Sequence, residues 1–444
     1  MNTPANQARP TRQPASRLGL LAAISLALAA CGGELGPDTQ IDPFTSDKAT
    51  LLDFEFDGEL VTDQSASSAA AIENQLMYTI GQLNGDGGVG RLDAVNLSRT
   101  WTEQLESGQW RVRYHAVLQV AWPSQRDDAL PSTYGFQLPR DLSHAGLARF
   151  AAEYGETCVD LWSAHDVSPN NLWYYYRPEA SGCELASADI TFSDVAVRHS
   201  PDNRRDTYPE MDLIWQDDLL RAIIVFGKDV AGSTGFNDFG IAQYGQFNHR
   251  MRWSYFGGIK LAPEPADIPQ APDERIPEVT WTGTFEDGRS MAVHAFIIDN
   301  PRIPGAHFQA RYAELSGDAD VVVYNGHAAL GDNVRAFARM GEPGPGQYSI
   351  VSMMGCDTFA YVDGYMAEQR AALNPDDPEG TRYLDMITNI VPTNPTVLST
   401  AALALVRGVA NPAAPQSYQE ILQNFEHTHY AVVTGEEDNF YRPE

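Results

Sequence analysis

The stretch Asp320-Val-Val-Val-Tyr-Asn-Gly-His327 begins a strand–turn–helix–strand pattern. Its run of strand-forming residues predicts a strand buried on both faces of a parallel sheet, with His327 left at the carboxyl end. A short helix is predicted from Asp332, and a second buried run, Tyr348–Met354, ends in Gly355-Cys356-Asp357-Thr358. Neighbouring parallel strands end at the same edge of a sheet, so His327 and Cys356 are expected side by side at that edge.

An imidazole beside a thiol is a nucleophile–base pair, because the thiolate is the reactive form of cysteine and a neighbouring imidazolium lowers the thiol pKa. The pattern therefore predicts a catalytic Cys356 with His327 as its base. A structural interpretation is equally open. Free cysteine is among the most buried residue types, and His327 would then only cap a turn.

Both turns resemble those of the caspase-like cysteine peptidases, the group of caspases, metacaspases, legumains and gingipains. Tyr324-Asn-Gly-His327 is similar to the Tyr-Ser-Gly-His of metacaspases, and Gly355-Cys356-Asp357-Thr358 to the Ala-Cys-Glu/Asp-Ser/Thr turn of bacterial relatives. The resemblance covers about the last two-fifths of the chain. It implies an α/β fold in which a mostly parallel sheet lies between helices. It also implies an oxyanion hole made by the backbone N–H groups of Ala328 and Cys356, although the family usually has glycine where this chain has Ala328.

Apart from Cys31, which belongs to the N-terminal segment described below, the cysteines point to one disulfide and one free thiol. Cys158 and Cys183 are close in sequence, and in an oxidising compartment they are expected to pair. Cys356 is then the odd thiol, retained either for catalysis or because it is buried. Asp357 and Asp363 lie near enough to Cys356 in sequence to be proposed as a substrate pocket for a basic side chain.

The first thirty residues have the features of an export signal. A basic start is followed by the apolar run Leu18–Leu28 and by Leu28-Ala-Ala-Cys31. The last sequence resembles the bacterial lipoprotein box, which implies cleavage before Cys31, lipidation of that residue and an anchor in the membrane, with the outer membrane favoured by Gly32. An ordinary secretory signal is the alternative. Residues 31–50 are predicted to be a polar tether.

The formal charge of −29 excludes nucleic acid as a partner, since an acidic surface repels a phosphate backbone. No cofactor is indicated. Glu426-His-Thr-His429 has spacing that a metal site uses, but no third ligand has an obvious position, so a structural role is favoured and no metal is expected.

The chain is divided into two predicted domains by the Pro-rich residues 262–278. Residues 51–261 mix helices and short strands, which is typical of an α+β domain. Residues 279–444 are predicted to form the caspase-like α/β domain. Within the first domain a helix is expected over Ile72–Leu83, and strands over Trp110–Trp122 and Leu172–Tyr176.

The sequence therefore favours an envelope protein anchored by lipid, with a cysteine peptidase domain that hydrolyses peptide bonds in a peptide or protein substrate. The alternative is a catalytically silent module in which the same fold only binds a partner.

Overall fold

The computed structural model describes residues 44–46, 48–64, 68–123 and 130–443. The predicted signal, its cleavage site and Cys31 lie outside these residues. The described residues all belong to one compact unit.

The strands are β1 (Phe44–Thr45), β2 (Ala49–Thr62), β3 (Val89–Gln104), β4 (Trp110–Pro123), β5 (Thr133–Pro139), β6 (Ile190–His199), β7 (Asn203–Arg204), β8 (Leu219–Gly227), β9 (Ala262–Glu264), β10 (Glu278–Thr284), β11 (Ser290–Ile298), β12 (Val321–Asn325), β13 (Ser349–Met354), β14 (Leu384–Asn389) and β15 (Ala431–Thr434). The helices are α1 (Ser68–Gly85), α2 (His144–Tyr154), α3 (Leu172–Tyr175), α4 (Met211–Ile214), α5 (Phe239–Trp253), α6 (Ala306–Leu315), α7 (Asp332–Ala338), α8 (Tyr365–Leu373), α9 (Leu398–Val409) and α10 (Tyr418–Gln423). Short 3₁₀ turns cover Ser316–Asp318, Thr358–Tyr361 and Pro395–Val397.

The larger of the two sheets in the described residues has ten strands in the order β7-β1-β15-β14-β13-β12-β8-β11-β10-β9. Its centre is parallel: β11, β8, β12, β13 and β14 pair in that order, all in the same direction. Strands β9, β10 and β15 pair antiparallel with their neighbours. The sheet is thus mostly parallel, and α7 and α8 connect consecutive parallel strands.

Side chains of the central strands alternate between two cores. Val321 and Val323 of β12 pack with residues of α5, α9 and α10 on one face. Val322 and Tyr324 belong to a second core on the other face, which extends into the smaller sheet. Every residue of β12 and β13 is buried, in agreement with their nearly continuous apolar sequences.

The smaller sheet is antiparallel and has five strands in the order β3-β4-β2-β6-β5. Helix α1 lies against it through an apolar face that includes Ile72, Leu76 and Leu83. The predicted helix over Ile72–Leu83 and the predicted strand over Trp110–Trp122 are both confirmed. The predicted pattern of strand, helix and strand after Asp320 is also confirmed.

The strand predicted over Leu172–Tyr176 is wrong, because residues 172–175 form helix α3. The carbonyls near its end are capped by a side chain: Arg177 Nη1 donates to the carbonyl oxygens of Tyr174 and Tyr176, each at 3.0 Å, and to Gly81 O at 2.6 Å. At Gly81, a Cβ would lie 2.0 Å from the Trp173 carbonyl oxygen. The aromatic run favoured a strand by propensity, but its burial against α1 is achieved as a helical turn.

The structure also differs from the predicted domain boundary and from the predicted tether. Strand β8 and helix α5, assigned from sequence to the domain of residues 51–261, belong to the large sheet and its helical layer, and β9 of the 262–278 stretch pairs with β10. Within the predicted tether, β1 pairs with β15. Lys48 is buried, and its ammonium donates to the Phe425, Glu426 and His429 carbonyl oxygens at 2.8–3.2 Å. These contacts join segments far apart in sequence, which composition alone does not reveal.

Candidate active site

Three neighbouring parallel strands bring chemically active residues to one edge of the large sheet. Asn325 of β12 is paired with Phe226 of β8 on one side and with Met354 of β13 on the other. Beyond these positions the backbone continues from β8 to Asp229, from β12 to His327 and from β13 to Cys356. The carboxyl edge therefore carries an acid, an imidazole and a thiol on adjacent strands, with the imidazole in the middle.

The imidazole of His327 is bound to Asp229. Its Nε2 lies 2.6 Å from Asp229 Oδ1, and 56% of the His327 side chain and 37% of the Asp229 side chain are exposed. Asp229 is itself positioned by the cap of α5, since its backbone N–H donates to Asp238 Oδ1 at 3.0 Å. The carboxylate holds the imidazole through Nε2. The other ring nitrogen, Nδ1, is therefore available to exchange a proton with another group.

The backbone after His327 takes an unusual path. Ala329, Leu330 and Gly331 have φ angles of 50°, 53° and 94°, and non-glycine residues rarely adopt the left-handed region. The carbonyl of His327 is fixed by Tyr324 Oη at 3.0 Å and Asn333 Nδ2 at 2.9 Å. This support keeps the turn in a conformation that its sequence would not adopt alone, and such supported strain is typical of functional sites.

The turn that carries Cys356 passes close to the His327 turn. A Cβ on Gly355 would lie 2.7 Å from the Gly326 carbonyl oxygen and 3.2 Å from the Ala328 nitrogen, so only glycine permits this approach. Among the described residues the backbone N–H groups of Ala328 and Cys356 donate no hydrogen bond to a protein acceptor. The two N–H groups expected to form an oxyanion hole are therefore both available.

A buried polar network fixes the carbonyl of Gly355. It accepts hydrogen bonds from Asn389 Nδ2 at 2.9 Å and from Thr393 Oγ1 at 2.7 Å. Asn389 Oδ1 in turn lies 2.8 Å from Nε2 of the buried His429. His429 thus supports the turn structurally, and no group of three or more His, Cys, Asp or Glu residues in the described ranges is arranged to hold a metal ion.

The surroundings of Cys356 disfavour the thiolate form. Burial raises the pKa of the thiol to about 11, the charge of Asp357 contributes to the rise, and a backbone hydrogen bond from Thr393 opposes it. Within the described chain no hydrogen bond joins this thiol to the imidazole of His327. Cys356 is unpaired, and the predicted bond between Cys158 and Cys183 is confirmed.

Asp357 and Asp363 do not occupy the pocket-lining positions expected from sequence. Asp357 is fully buried, and its Oδ2 accepts from Asn84 Nδ2 at 2.8 Å and from Tyr174 Oη at 2.9 Å. Burial raises the pKa of Asp357 to about 6, while the hydrogen bond from Tyr174 lowers it. Asp363 is bound to Arg339, with a 2.6 Å contact from Nη2 to Oδ2. Both carboxylates are occupied by protein partners because residues distant in sequence fold onto them.

Three tyrosines lie near enough to Cys356 for its charge to affect their pKa. Burial is the main cause of the raised pKa of Tyr174, Tyr175 and Tyr361, and the charge of Cys356 contributes to each. Tyr174 and Tyr175 come from α3, inside the loop closed by the disulfide. The layer built on the smaller sheet thus reaches over the cysteine turn.

Asp229 was not identified from the sequence. The apolar run Ala222–Phe226 predicts a strand, and Asp229 follows its end as His327 and Cys356 follow theirs. Assigning that strand to the same sheet would have found it. Asn84 and Tyr174 carry no local signal, since only the packing of the two sheets brings them to the site.

No family model, curated protein or solved structure matches this chain.

Proposed function

We propose that the protein is a cysteine-dependent hydrolase of peptide bonds, with Cys356 as nucleophile and His327 as base. The observation that carries the proposal is the alignment of Asp229, His327 and Cys356 at the carboxyl ends of three adjacent parallel strands. The mostly parallel sheet with its helices supports the proposal, and membership of the caspase-like group is part of the proposal.

The reaction follows from the positions of these groups. Cys356 Sγ attacks the substrate carbonyl while His327 takes the thiol proton, and the oxyanion is held by the N–H groups of Ala328 and Cys356. His327 returns the proton to the leaving amine, and a thioester remains on Cys356. Water then attacks the thioester with His327 as base, which releases the acid and restores the thiol. Asp229 is a positioning residue that orients the imidazole.

Catalysis requires a change from the resting arrangement. A thiol with a pKa of about 11 is roughly 10⁻⁴ ionised at pH 7. Substrate binding that moves the tyrosines aside and places His327 Nδ1 on the sulfur would stabilise the thiolate. The exposure of His327 leaves room for this movement.

The proposal is tested with fluorescein-labelled casein as a general protein substrate. Cys356→Ala and His327→Ala are expected to lower kcat/KM by at least about 10³-fold, because each removes a reacting group. Asp229→Asn is expected to lower kcat about 10- to 100-fold with KM nearly unchanged and to shift the pH profile, since it alters only the orientation of the imidazole.

The matched control is Asp287→Asn, an exposed acid that pairs with Arg289 in the turn of the β10–β11 hairpin. It should retain full activity. Hydrolysis that survives in Cys356→Ala would overturn the assignment of the nucleophile.

A catalytically silent binding module is the second candidate. The raised pKa of the thiol and the lack of a bond between His327 and Cys356 in the described chain favour it. If casein and short peptides are not cleaved, and iodoacetamide labels Cys356 only after denaturation, this candidate replaces the enzyme.

The same proposal includes the location of the protein in the cell. The lipoprotein box at Cys31 supports a mature protein anchored by lipid in a bacterial envelope, facing a peptide or protein substrate. In the described residues no helix has the length and apolar character needed to cross a bilayer.

A further inference from the structure

A cavity of about 510 Å³ lies between α5 and α9, away from the proposed catalytic edge. Its polar walls are Gln246, His249, Arg250, Ser254 and Arg407, and its apolar walls are Leu403 and Trp253. Among the described residues, no carboxylate lines it. The cavity falls within the range of volumes that small-molecule sites occupy.

Two arginines supply positive charge to this cavity without an acidic partner. In the described ranges neither Arg250 nor Arg407 forms an ion pair, although acids outnumber basic residues 59 to 30 in the whole chain. Burial lowers the pKa of Arg407, and the charge of Arg250 lowers it further, so the two guanidinium groups are close enough to repel. Neighbouring cations left unpaired in so acidic a protein indicate a site for an anion.

The guanidinium of Arg407 is already held in place. Its Nη2 donates to Ser254 Oγ at 2.7 Å, and Ser254 Oγ donates to the Arg250 carbonyl oxygen at 2.7 Å. A side chain fixed in this way loses less conformational freedom when it binds a ligand. Arginine also presents a planar fork of donors that matches a carboxylate or phosphate.

An exposed aromatic surface adjoins the arginines. Trp253 and Tyr255 are 62% and 60% exposed. Lys260 Nζ lies 5.6 Å from the centroid of the Trp253 ring and 4.9 Å from that of Tyr255, and it forms no ion pair within the described chain. Cations beside an exposed indole favour a ligand that combines negative charge with a flat apolar part.

The helix dipoles explain only part of this arrangement. Arg250 and Arg407 lie in the last turns of α5 and α9, where a cation interacts favourably with the helix dipole. That interaction accounts for each arginine separately. It does not account for their convergence on one cavity together with Trp253, where the described part of the chain places no carboxylate.

We propose that this cavity binds a small anionic ligand, in which a carboxylate or phosphate is attached to a flat apolar group. Arg250 and Arg407 bind the anion, and Trp253 packs against the apolar part. The site is separate from the proposed catalytic centre, because Asp238 at the other end of α5 contacts Asp229. Fifteen residues of helix place the two ends roughly 20 Å apart.

The test measures binding of phenyl phosphate, benzoate and inorganic phosphate to the full chain by calorimetry and tryptophan fluorescence. Saturable binding of phenyl phosphate or benzoate is expected, and the tighter of the two identifies the preferred anion. Arg250→Gln with Arg407→Gln is expected to weaken binding at least about 100-fold, since two charge-assisted contacts are lost. Trp253→Ala should weaken binding of both aromatic probes about tenfold and leave that of inorganic phosphate unchanged.

Arg252→Gln is the matched control. It removes the same charge from the same helical turn, but Arg252 Nη2 donates to the Ile268 and Pro269 carbonyl oxygens and does not line the cavity. It should bind as the unmodified chain does. Equal weakening in Arg252→Gln, or no saturable binding of either aromatic probe up to about 10 mM, would overturn the proposal. Circular dichroism of each variant verifies the fold.

Discussion

Asp357 is the residue at which the layer of the smaller sheet meets the cysteine turn. Its backbone is left-handed, with a φ of 51°, and its carboxylate binds Asn84 and Tyr174 from α1 and α3. Its other carboxylate oxygen, Oδ1, has no hydrogen-bond partner in the described part of the chain, and burial raises the pKa of the group. Ionisation of this group therefore disfavours the folded state, while its hydrogen bonds tie the two layers together.

The pH dependence of the free energy of unfolding measures how strongly the ionisation of Asp357 disfavours the folded state. The folded pKa of Asp357 is about 6, above its ordinary value of 3.8, so the folded state binds the proton more tightly than the unfolded state. The contribution of Asp357 to stability is complete well below pH 3.8 and is lost as the pH rises through about 6, by about 3 kcal/mol in all. Relative to Asp357→Asn, the unmodified chain should lose most of that free energy of unfolding between pH 4 and pH 7.5, as measured by urea unfolding.

Other titrating groups are common to the two proteins and cancel in the difference. A difference in unfolding free energy that stays constant over this range would mean that Asp357 is not perturbed in the folded state.

At the level of elements, the loop closed by Cys158 and Cys183 contacts the turn that carries Cys356. It contains α3, whose Tyr174 binds Asp357 and whose Tyr175 stands near the thiol. The disulfide joins residues 25 apart in sequence, and it restricts the loop in the unfolded chain as well as in the folded one.

Cys158→Ser with Cys183→Ser should therefore lower the free energy of unfolding by about 3 kcal/mol. It should also increase the rate of iodoacetamide labelling at Cys356 several-fold, because a looser α3 exposes the thiol to solvent and to the base. Mass mapping locates the label, and the triple variant that also carries Cys356→Ala controls for other sites. Unchanged labelling in a destabilised but folded double variant would show that α3 does not cover the thiol.

At the level of the whole molecule, the proposed anchor is the feature that the described residues do not reach. The lipoprotein box predicts that cells expressing the full chain incorporate labelled palmitate into it and that Cys31→Ser abolishes this incorporation. Cys356→Ser is the matched control and should still be labelled. Label that persists in Cys31→Ser would place the modification elsewhere.

Much of the fold follows from the sequence because its signals are local. The apolar runs of β12 and β13, the period of α1, and the caps at Ser143 and Ser417 each depend on residues close in sequence. The disulfide was also predictable, because Cys158 and Cys183 are close in sequence. Local propensity failed at α3, where packing against Gly81 and capping by Arg177 outweigh the strand preference of aromatic residues.

The candidate site divides in the same way. His327 and Cys356 were identified from sequence because each follows a recognisable buried strand. Asp229 required the knowledge that β8 lies beside β12, and a strand's neighbours are set by how the whole sheet assembles. The raised pKa of Cys356, the burial of Asp357 and the tyrosines above the thiol arise where the two sheets pack. Sequence by itself determined which groups stand at the edge of the sheet, because strand ends are local. Only the tertiary structure decided their partners, exposure and charge state, because those depend on residues brought together from distant parts of the chain.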